Sequence, residues 1–403
     1  MSSGPWRAVL GFGVVSLAAD MVYEGARSVT GPLLGSLGAT ALVVGLVTGV
    51  GEAVALVLRL FSGSLADRSG RYWTLTLAGY GLTAVCVPLL ALTPFLGAAG
   101  LAVASLLILA ERTGKAVRSP AKSALLARAA AEVGLGRGLG VHKALDQVGA
   151  FAGPLVVAGV TALTGALWPS FLVLLVPGAV AMVLLVVVRR RMAGDAPAAA
   201  AQPAAEAPTG RQRDRLPTPF WLFAASAGAA TAGLVTFGII SFHLTRDAVV
   251  GVAVVPVVYA AAMAAGAGAA LATGWLYERW AGRILLLLPF LVAAVPPLAF
   301  SDHAGTAVLG VLVWGAAVGV QDSTVKALVA SLVPAHRRAT AYGSFAAVQG
   351  AAAVVGGVTA GWLYARSLPA LVVVVSATQL VALLLLVVTL RRQAADREPA
   401  LAG

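Results

Sequence analysis

A short charged stretch between two long apolar runs decides the fold: Gly63-Ser-Leu-Ala-Asp-Arg-Ser-Gly-Arg71. A near copy, Gly274-Trp-Leu-Tyr-Glu-Arg-Trp-Ala-Gly-Arg283, stands in the second half of the chain. In both copies a Leu, an acid and an Arg follow the opening Gly at the same intervals. A Gly-Arg pair closes both, one residue later in the second copy. A stretch repeated in equivalent places predicts two related halves, and such internal symmetry is typical of membrane transporters.

The composition indicates a membrane protein. Of 403 residues, 60% are hydrophobic and 11% are charged, whereas soluble domains carry roughly 25% charged residues. Several apolar runs reach the roughly 20 residues that a helix needs to cross a bilayer. The 46 glycines fit this class, since small residues let membrane helices approach closely. We therefore predict an all-α polytopic membrane protein embedded in the lipid bilayer.

The charge balance also fits a membrane protein better than a nucleic-acid-binding one. The net charge is +12, and in a membrane protein an excess of Lys and Arg marks the cytoplasmic loops. We expect no nucleic acid partner. The single cysteine, Cys86, excludes an intrachain disulfide and is expected to be a small packed hydrophobe.

The apolar runs predict twelve transmembrane helices in two pseudo-symmetric halves of six, numbered here as spans 1 to 12. The first half covers residues 1–188 and the second covers 220–392. Between them, residues 189–219 are a basic Ala/Pro-rich linker that offers no packed core, and residues 393–403 are a tail. The predicted spans are Trp6–Leu37, Ala41–Ser62, Tyr72–Thr93, Leu96–Val117, Leu139–Leu163, Leu167–Val188, Phe220–His243, Val249–Tyr277, Ile284–Phe300, Thr306–Val333, Ala339–Tyr364 and Leu368–Leu390.

Lysine and arginine are distributed unequally between the two predicted faces. One face carries only Arg246 and Arg366. Because cytoplasmic loops are the basic ones, both termini, the linker and both copies of the charged stretch are expected in the cytoplasm, beneath a plasma (inner) membrane. The basic residues of that face include Arg68, Arg71, Lys122, Arg128, Arg137, Arg189, Arg190, Arg191, Arg211, Arg213, Arg215, Arg279, Arg283, Arg337, Arg338, Arg391 and Arg392.

Six plus six spans, a basic central linker and the charged stretch after span 2 together resemble the major facilitator superfamily. The resemblance covers nearly the whole chain. It implies alternating access, with the repeated stretch setting the balance between inward-facing and outward-facing states. The implied gating residues are Gly63, Asp67, Arg68, Gly70 and Arg71, with Glu278, Arg279 and Arg283 as weaker equivalents.

Span 5 carries a second motif, Gly140, Gly149, Gly153 and Pro154. It resembles the antiporter motif of superfamily members that export drugs against protons. The family pattern continues with a Gly-Gly pair where this chain has Val157-Ala-Gly159, so the match is incomplete. Glycines at these intervals also predict a smooth helix face for close packing, with the proline allowing a bend. The resemblance favours export, in the drug:proton antiporter branch.

Ionisable residues at bilayer depth are expensive and are interpreted as functional. The first half is rich in them, and the second offers fewer beside a more apolar wall of Phe237, Tyr259 and Trp314. Glu52 and Arg59 are interpreted as structural, and Arg118 is expected at the cytoplasmic mouth. The candidate substrate and proton-coupling residues are Asp20, Tyr23, Glu24, Arg27, Glu111, Arg112, Lys115 and Asp146, with Gln321, Asp322, Lys326 and Gln349 in the second half.

These observations predict a secondary active transporter, a monomer that exports a small organic or amphipathic solute in exchange for protons. Asp20 and Glu24 are the predicted substrate-facing or proton-carrying acids, Arg27 and Arg112 their counter-charges, and Asp146 a proton site. Structural ion pairing is the competing interpretation of each. Proton-coupled uptake or facilitated transport of a small anionic nutrient remains the alternative, with cations of spans 1 and 4 holding the anion.

Other protein classes find little support in the sequence. There is no phosphate-binding loop for ATP, no His/Cys cluster with metal-ligand spacing and no nucleophile elbow. The two-half symmetry without a catalytic constellation argues against a membrane enzyme or a receptor. No cofactor is expected.

Overall fold

The computed structural model describes residues 4–194, 216–334 and 337–395, and in these ranges it is helical with short connections. The predicted all-α class is therefore confirmed. The membrane helices, in chain order, are Gly4–Ser28 followed by Thr30–Ser36, Ala41–Ser69, Tyr72–Leu89, Gly100–Ala131, Leu135–Thr164, Trp168–Val173 followed by Leu175–Gly194, Thr218–Gly233 followed by Phe237–Arg246, Val254–Trp280, Leu287–Ala299, Ala304–Leu332, Arg338–Arg366 and Leu368–Ala395.

The number of membrane crossings depends on one long stretch. Among the described residues, eleven helical stretches are long and apolar enough to cross a membrane, and Val254–Ala299 has 46 residues. At 1.5 Å per residue this is about 69 Å, more than twice the thickness of a hydrocarbon core. Within it, Gly282 lies against Leu328, near the end of span 10, whereas Ala299 lies against Gly310, near its start. The chain therefore reverses and crosses twice, so twelve spans result.

In both copies of the charged stretch the preceding helix continues beyond the predicted end of its span, which was Ser62 in the first copy and Tyr277 in the second. The helix of span 2 continues through Gly63 and ends at Ser69, where Gly70 adopts φ +63° in the left-handed region. Its N–H donates to the carbonyl of Ala66. In the second copy the helix continues to Trp280. A single glycine does not end a helix whose backbone hydrogen bonds can continue through it, whereas a left-handed residue does.

Other boundaries also differ from the predicted ones, and the differences in spans 4, 6 and 7 are described here. Span 4 stays helical as far as Ala131, so the connector predicted after Val117 is mostly helix. Span 7 is broken, because Thr236 is extended between two helices. Span 6 continues to Gly194, into the predicted linker, whose residues 195–215 lie outside the described part.

The two halves meet through backbone-to-backbone contacts of glycines. We call the face that holds Gly70 the linker face and the opposite one the distal face. A Cβ on Gly45 of span 2 would lie 2.1 Å from the carbonyl oxygen of Gly357 of span 11, and one on Gly361 would lie 2.4 Å from that of Ala41. We call this crossing of spans 2 and 11 the distal seal. Further along span 2, Phe61 is 65% exposed. The described structure is thus closed at its distal face.

The left-handed Gly70 supports a stability prediction. Gly70→Ala should destabilise the folded state by about 1–2 kcal/mol, since an L side chain is strained in this conformation. Gly274→Ala is the matched control, because that glycine is helical and a Cβ there meets nothing within 4 Å. Thermal unfolding of both variants in the same detergent tests this. An equal shift in both would contradict it.

Candidate functional site

A network of ion pairs at the centre of the first half joins spans 1, 2 and 4. Arg27 Nη2 donates to Glu52 Oε1 at 2.8 Å, and Arg112 Nη1 lies 3.6 Å from the same oxygen. Arg112 Nε lies 3.8 Å from Glu111 Oε2. Glu52 is the most accessible of the three that share this contact, at 30% of its side-chain surface against 24% for Arg27 and 8% for Arg112. One carboxylate oxygen therefore holds two guanidinium groups.

Tyr23 lies beneath three cations. The Lys115 ammonium lies 3.4 Å from the ring centroid, and the guanidinium carbons of Arg112 and Arg27 lie 4.7 and 6.0 Å from it. Arg112 also donates a hydrogen bond to the Tyr23 hydroxyl. A ring face attracts cations through its quadrupole, more strongly where water is excluded. Tyr23 thus holds together positive side chains that would otherwise repel.

A single tyrosine connects this network to the second half. The Tyr259 hydroxyl of span 8 donates to Glu24 Oε2 at 2.5 Å, within the range of charge-assisted hydrogen bonds. Glu24 Oε2 is also 3.9 Å from Arg27 Nη1. Nearby, the hydroxyls of Thr48 and Thr236 lie 2.8 Å apart and form a second polar link between the halves. Of these two links, the one through Glu24 includes an ionisable carboxyl group.

A second network lies closer to the linker face. Asp20 Oδ1 is 4.0 Å from Arg118 Nη2, and its carboxyl group lies close to that of Asp146. Lys143 Nζ pairs with Asp146 Oδ2 at 2.7 Å. Lys122 donates to the Ser16 hydroxyl, which donates to Asp146 Oδ1 at 3.2 Å. This network joins spans 1, 4 and 5.

Arg118 connects the two networks. It donates to the Thr83 hydroxyl, which in turn donates to Glu111 Oε1 at 3.3 Å. Its guanidinium carbon lies 4.6 Å from the Tyr80 ring centroid. Arg118 is buried, whereas the sequence analysis expected it at the cytoplasmic mouth.

The second half presents aromatic and amide groups. The rings of Phe237, Tyr259 and Trp314 contact one another, with centroids 4.5 to 6.2 Å apart. Gln321 Nε2 and Gln349 Nε2 donate to the Thr231 hydroxyl at 2.8 and 3.3 Å. Asp322 is exposed. The side chain of Lys326, its predicted partner, lies outside the described part of the chain.

Two small cavities flank the paired arginines. One is lined by Arg27, Glu52, Arg112, Thr48 and Phe237, among others. The other lies on the side of Tyr23 and Glu111. Both therefore have charged groups on one wall and apolar groups on another.

The structure brings most of the predicted first-half residues together but changes their partners. Arg27 and Arg112 were predicted as counter-charges of Asp20 and Glu24. Arg27 does lie 3.9 Å from Glu24, but both arginines also contact Glu52, and the cation facing Asp20 is Arg118. Glu52 was interpreted as structural and Tyr259 as part of an apolar wall. The sequence signal that could have identified Glu52 is its position near the middle of a span.

The span 5 glycines fall into two groups. A Cβ on Gly149 or Gly153 would lie 2.2 Å from the carbonyl oxygen of Leu17 or Met21 of span 1. At Gly140 a Cβ meets nothing within 4 Å. Pro154 lies inside the helix Leu135–Thr164, which continues through it. Two of the motif glycines therefore permit close contact with the span that carries Asp20 and Glu24.

The predicted gating residues lie at the linker face. The Tyr72 hydroxyl donates to Asp67 Oδ1 at 2.9 Å, which connects the end of span 2 to the start of span 3. Arg279 stacks over Trp275 at 3.9 Å. The other predicted charged members of both copies are exposed, namely Arg68, Arg71, Glu278 and Arg283. Their gating role remains a prediction.

Twelve apolar helical spans in two halves, with ion pairs buried in the first half, are the architecture of a membrane transporter. A sequence profile for the Major Facilitator Superfamily matches residues 10–357, and the chain belongs to that superfamily. In the described residues no group of three or more His, Cys, Asp or Glu side chains could hold a metal ion.

The chain is also similar to individual proteins. An uncharacterized protein of Mycobacterium tuberculosis (strain H37Rv) is 53% identical over 387 residues, covering 94% of this chain and 92% of its own. An uncharacterized MFS-type transporter of Methanocaldococcus jannaschii is 30% identical over 142 residues, 35% of this chain and 34% of its own. A mutant form of the nucleoside transporter NupG has the same fold, with a TM-score of 0.74 at 12% identity over 95% of this chain and 99% of its own.

Proposed function

We propose that this chain is a proton-coupled secondary transporter of a small organic solute that works by alternating access. The observation that carries the proposal is the hydrogen bond from Tyr259 to Glu24. It joins the two halves through an ionisable carboxyl group, next to the cavity of the paired arginines. A proton on Glu24 would remove the negative charge that Arg27 and the tyrosine hydroxyl contact.

Coupling between proton binding and conformational change has a thermodynamic basis. A ligand, here the proton, shifts a conformational equilibrium only if its affinities for the two states differ. A proton on Glu24 weakens a contact that exists only while Tyr259 lies close to span 1. Proton binding therefore favours states in which the halves have moved apart at this point. The contact of the Asp20 and Asp146 carboxyl groups supports a second proton site, since two adjacent carboxyl groups can share one proton.

Orientation and direction form the next part of the proposal. Exposed arginines at the linker face, including Arg68, Arg71, Arg189 and Arg279, favour a cytoplasmic linker face. The distal seal would then face the outside of a plasma membrane. The glycine pattern of span 5, which resembles that of proton-driven exporters, favours export.

Uptake of a small anion is the second candidate. It is favoured by the convergence of Arg27, Arg112 and Lys115 around Tyr23, because guanidinium and ammonium groups are the usual ligands of carboxylates and phosphates. The coupling carboxyl group would be the same in both candidates. A single vesicle assay separates them.

The test uses the full chain in liposomes that contain a pH-sensitive dye. A panel of small carboxylates, amines and zwitterions is added outside, or loaded inside, under an imposed proton gradient. Wild type should move protons when a transported solute is present on one side. Glu24→Gln should bind the same solute but lose at least about nine-tenths of this proton movement, since its neutral amide cannot exchange a proton.

Glu132→Gln is the matched control, because it makes the same chemical change at an exposed carboxyl group at the end of span 4. It should behave as wild type. If solute transport by wild type is unchanged when the proton gradient is collapsed, proton coupling is rejected and the protein is a facilitator. Solute-driven proton movement that survives in Glu24→Gln would reject Glu24 as the coupling residue. Gradients imposed in either orientation distinguish export from uptake.

A further inference from the structure

Two arginines in the centre of the membrane share one carboxylate that faces a cavity. Arg27 comes from span 1 and Arg112 from span 4, and Glu52 Oε1 of span 2 lies 2.8 and 3.6 Å from them. All three side chains line the same small cavity. Guanidinium groups are planar forks that bind carboxylates through two parallel N–H bonds. Here neither arginine uses both prongs on Glu52.

The other residues that line the cavity carry no charge. Thr30, Thr48 and Thr236 supply hydroxyl groups, and Ile108 and Phe237 supply apolar surface. The rings of Tyr259 and Trp314 lie behind Phe237. A ligand that fits this wall has one charged end and an apolar body.

The charges of the central network indicate the sign and size of the charge that the ligand should carry. The cations are Arg27, Arg112 and Lys115, and the carboxylates are Glu24, Glu52 and Glu111. The set is balanced while Glu52 stays in place. If Glu52 turns away, three cations face two carboxylates, and one positive charge is left at the cavity. A single monovalent anion restores the balance.

We propose that Glu52 occupies, in the empty protein, the place of the ligand's anionic group, and that the ligand is a small monovalent organic anion with an apolar body. The anion binds Arg27 and Arg112 and displaces the Glu52 carboxylate. The side chain of Glu52 is more exposed than that of either arginine, so Glu52 is the member of the three that can move away most readily. This inference rests on the proposed transport function and names the chemical class of its solute.

The experiment measures equilibrium binding to the purified full chain in detergent, without a proton gradient. The probes are benzoate, its neutral analogue benzamide and its cationic analogue benzylammonium, with acetate and thiocyanate as further monovalent anions. Benzoate should bind more tightly than benzamide or benzylammonium. If Glu52 occupies the site for about nine-tenths of the time, Glu52→Gln should tighten benzoate binding about tenfold.

Two further variants separate displacement from simple electrostatics. Glu111→Gln removes the same charge from the same network but vacates no place between the two arginines, so it should tighten benzoate binding clearly less than Glu52→Gln does. Glu52→Asp keeps the charge but shortens the side chain by one methylene, so binding should also tighten, though less than in Glu52→Gln. The Asp variant decides the question if the Gln variant does not yield a folded protein by size-exclusion chromatography.

The proposal is overturned if none of the three anions binds Glu52→Gln more tightly than wild type. It is also overturned if Glu111→Gln tightens binding as much as Glu52→Gln does. Neither result depends on proton movement. Conversely, loss of proton coupling in Glu24→Gln with anion binding preserved would support the coupling proposal and this inference separately.

Discussion

Arg112→Leu is expected to cost about 3–5 kcal/mol of folding stability, because removing one partner of a buried ion pair leaves the other charge unpaired. Arg112 is 8% exposed at its side chain and contacts Glu52, Glu111 and the Tyr23 hydroxyl. Without it, the buried Glu111 carboxylate loses the cation that lies 3.8 Å away. Thermal unfolding in detergent, followed by tryptophan fluorescence, measures the loss.

Two companion variants test the physical cause. Arg112→Leu combined with Glu111→Leu should recover much of the loss, since a buried ion pair replaced by apolar residues is often neutral or stabilising. Lys143→Ala removes a cation from a shorter ion pair, 2.7 Å from Asp146, but Lys143 is 66% exposed. Its cost should stay below about 1 kcal/mol. If Lys143→Ala costs as much as Arg112→Leu, burial is not the determinant of the loss.

Gly149→Leu is expected to have the second large effect, a loss of about 3 kcal/mol or more or failure to fold. The first atom of any side chain at this position would lie 2.2 Å from the carbonyl oxygen of Leu17. That oxygen belongs to the helical backbone of span 1, so it cannot move aside as the tip of a flexible side chain could. Spans 1 and 5 would have to separate along the surface that carries Asp20 and Asp146.

The matched control lies on the same helix. Gly159→Leu introduces the same side chain where a Cβ meets nothing within 4 Å. It should fold and unfold as wild type does, within about 0.5 kcal/mol. The comparison measures the yield of monodisperse protein and its unfolding midpoint for both variants. Equal behaviour of the two would contradict the close helix contact at Gly149.

The sequence predicted the fold well because it is encoded in hydropathy, which is additive along the chain. Runs of about 20 apolar residues identify spans without any knowledge of neighbours. Helix ends were predicted less well. Nothing in the composition distinguishes Gly63, inside a helix, from Gly70, at its left-handed end. The break near Thr236 in span 7 was also missed, because the segments on both sides of it are apolar and hydropathy alone does not reveal a break between them.

The sequence predicted which residues belong to the candidate site better than it predicted which of them contact one another. Residues such as Asp20, Glu24 and Arg27 were found because charges at bilayer depth are conspicuous. Their partners depend on the rotation and depth of neighbouring helices, which a single sequence does not contain. The contact of Tyr259 with Glu24, for example, joins residues far apart in the chain.

The distal seal has a consequence for the response of this protein to salt. The residues at which its backbones touch, Gly45, Gly357, Gly361 and Ala41, carry no charge. Dispersion contacts between uncharged backbones are not screened by ions, whereas ion pairs that water can reach are. Ionic strength should therefore leave the seal itself unchanged and act on the Arg27–Glu52 pair. A salt titration of the ratio of open to closed molecules would report on the middle of the membrane, about half a bilayer away from the barrier that opens.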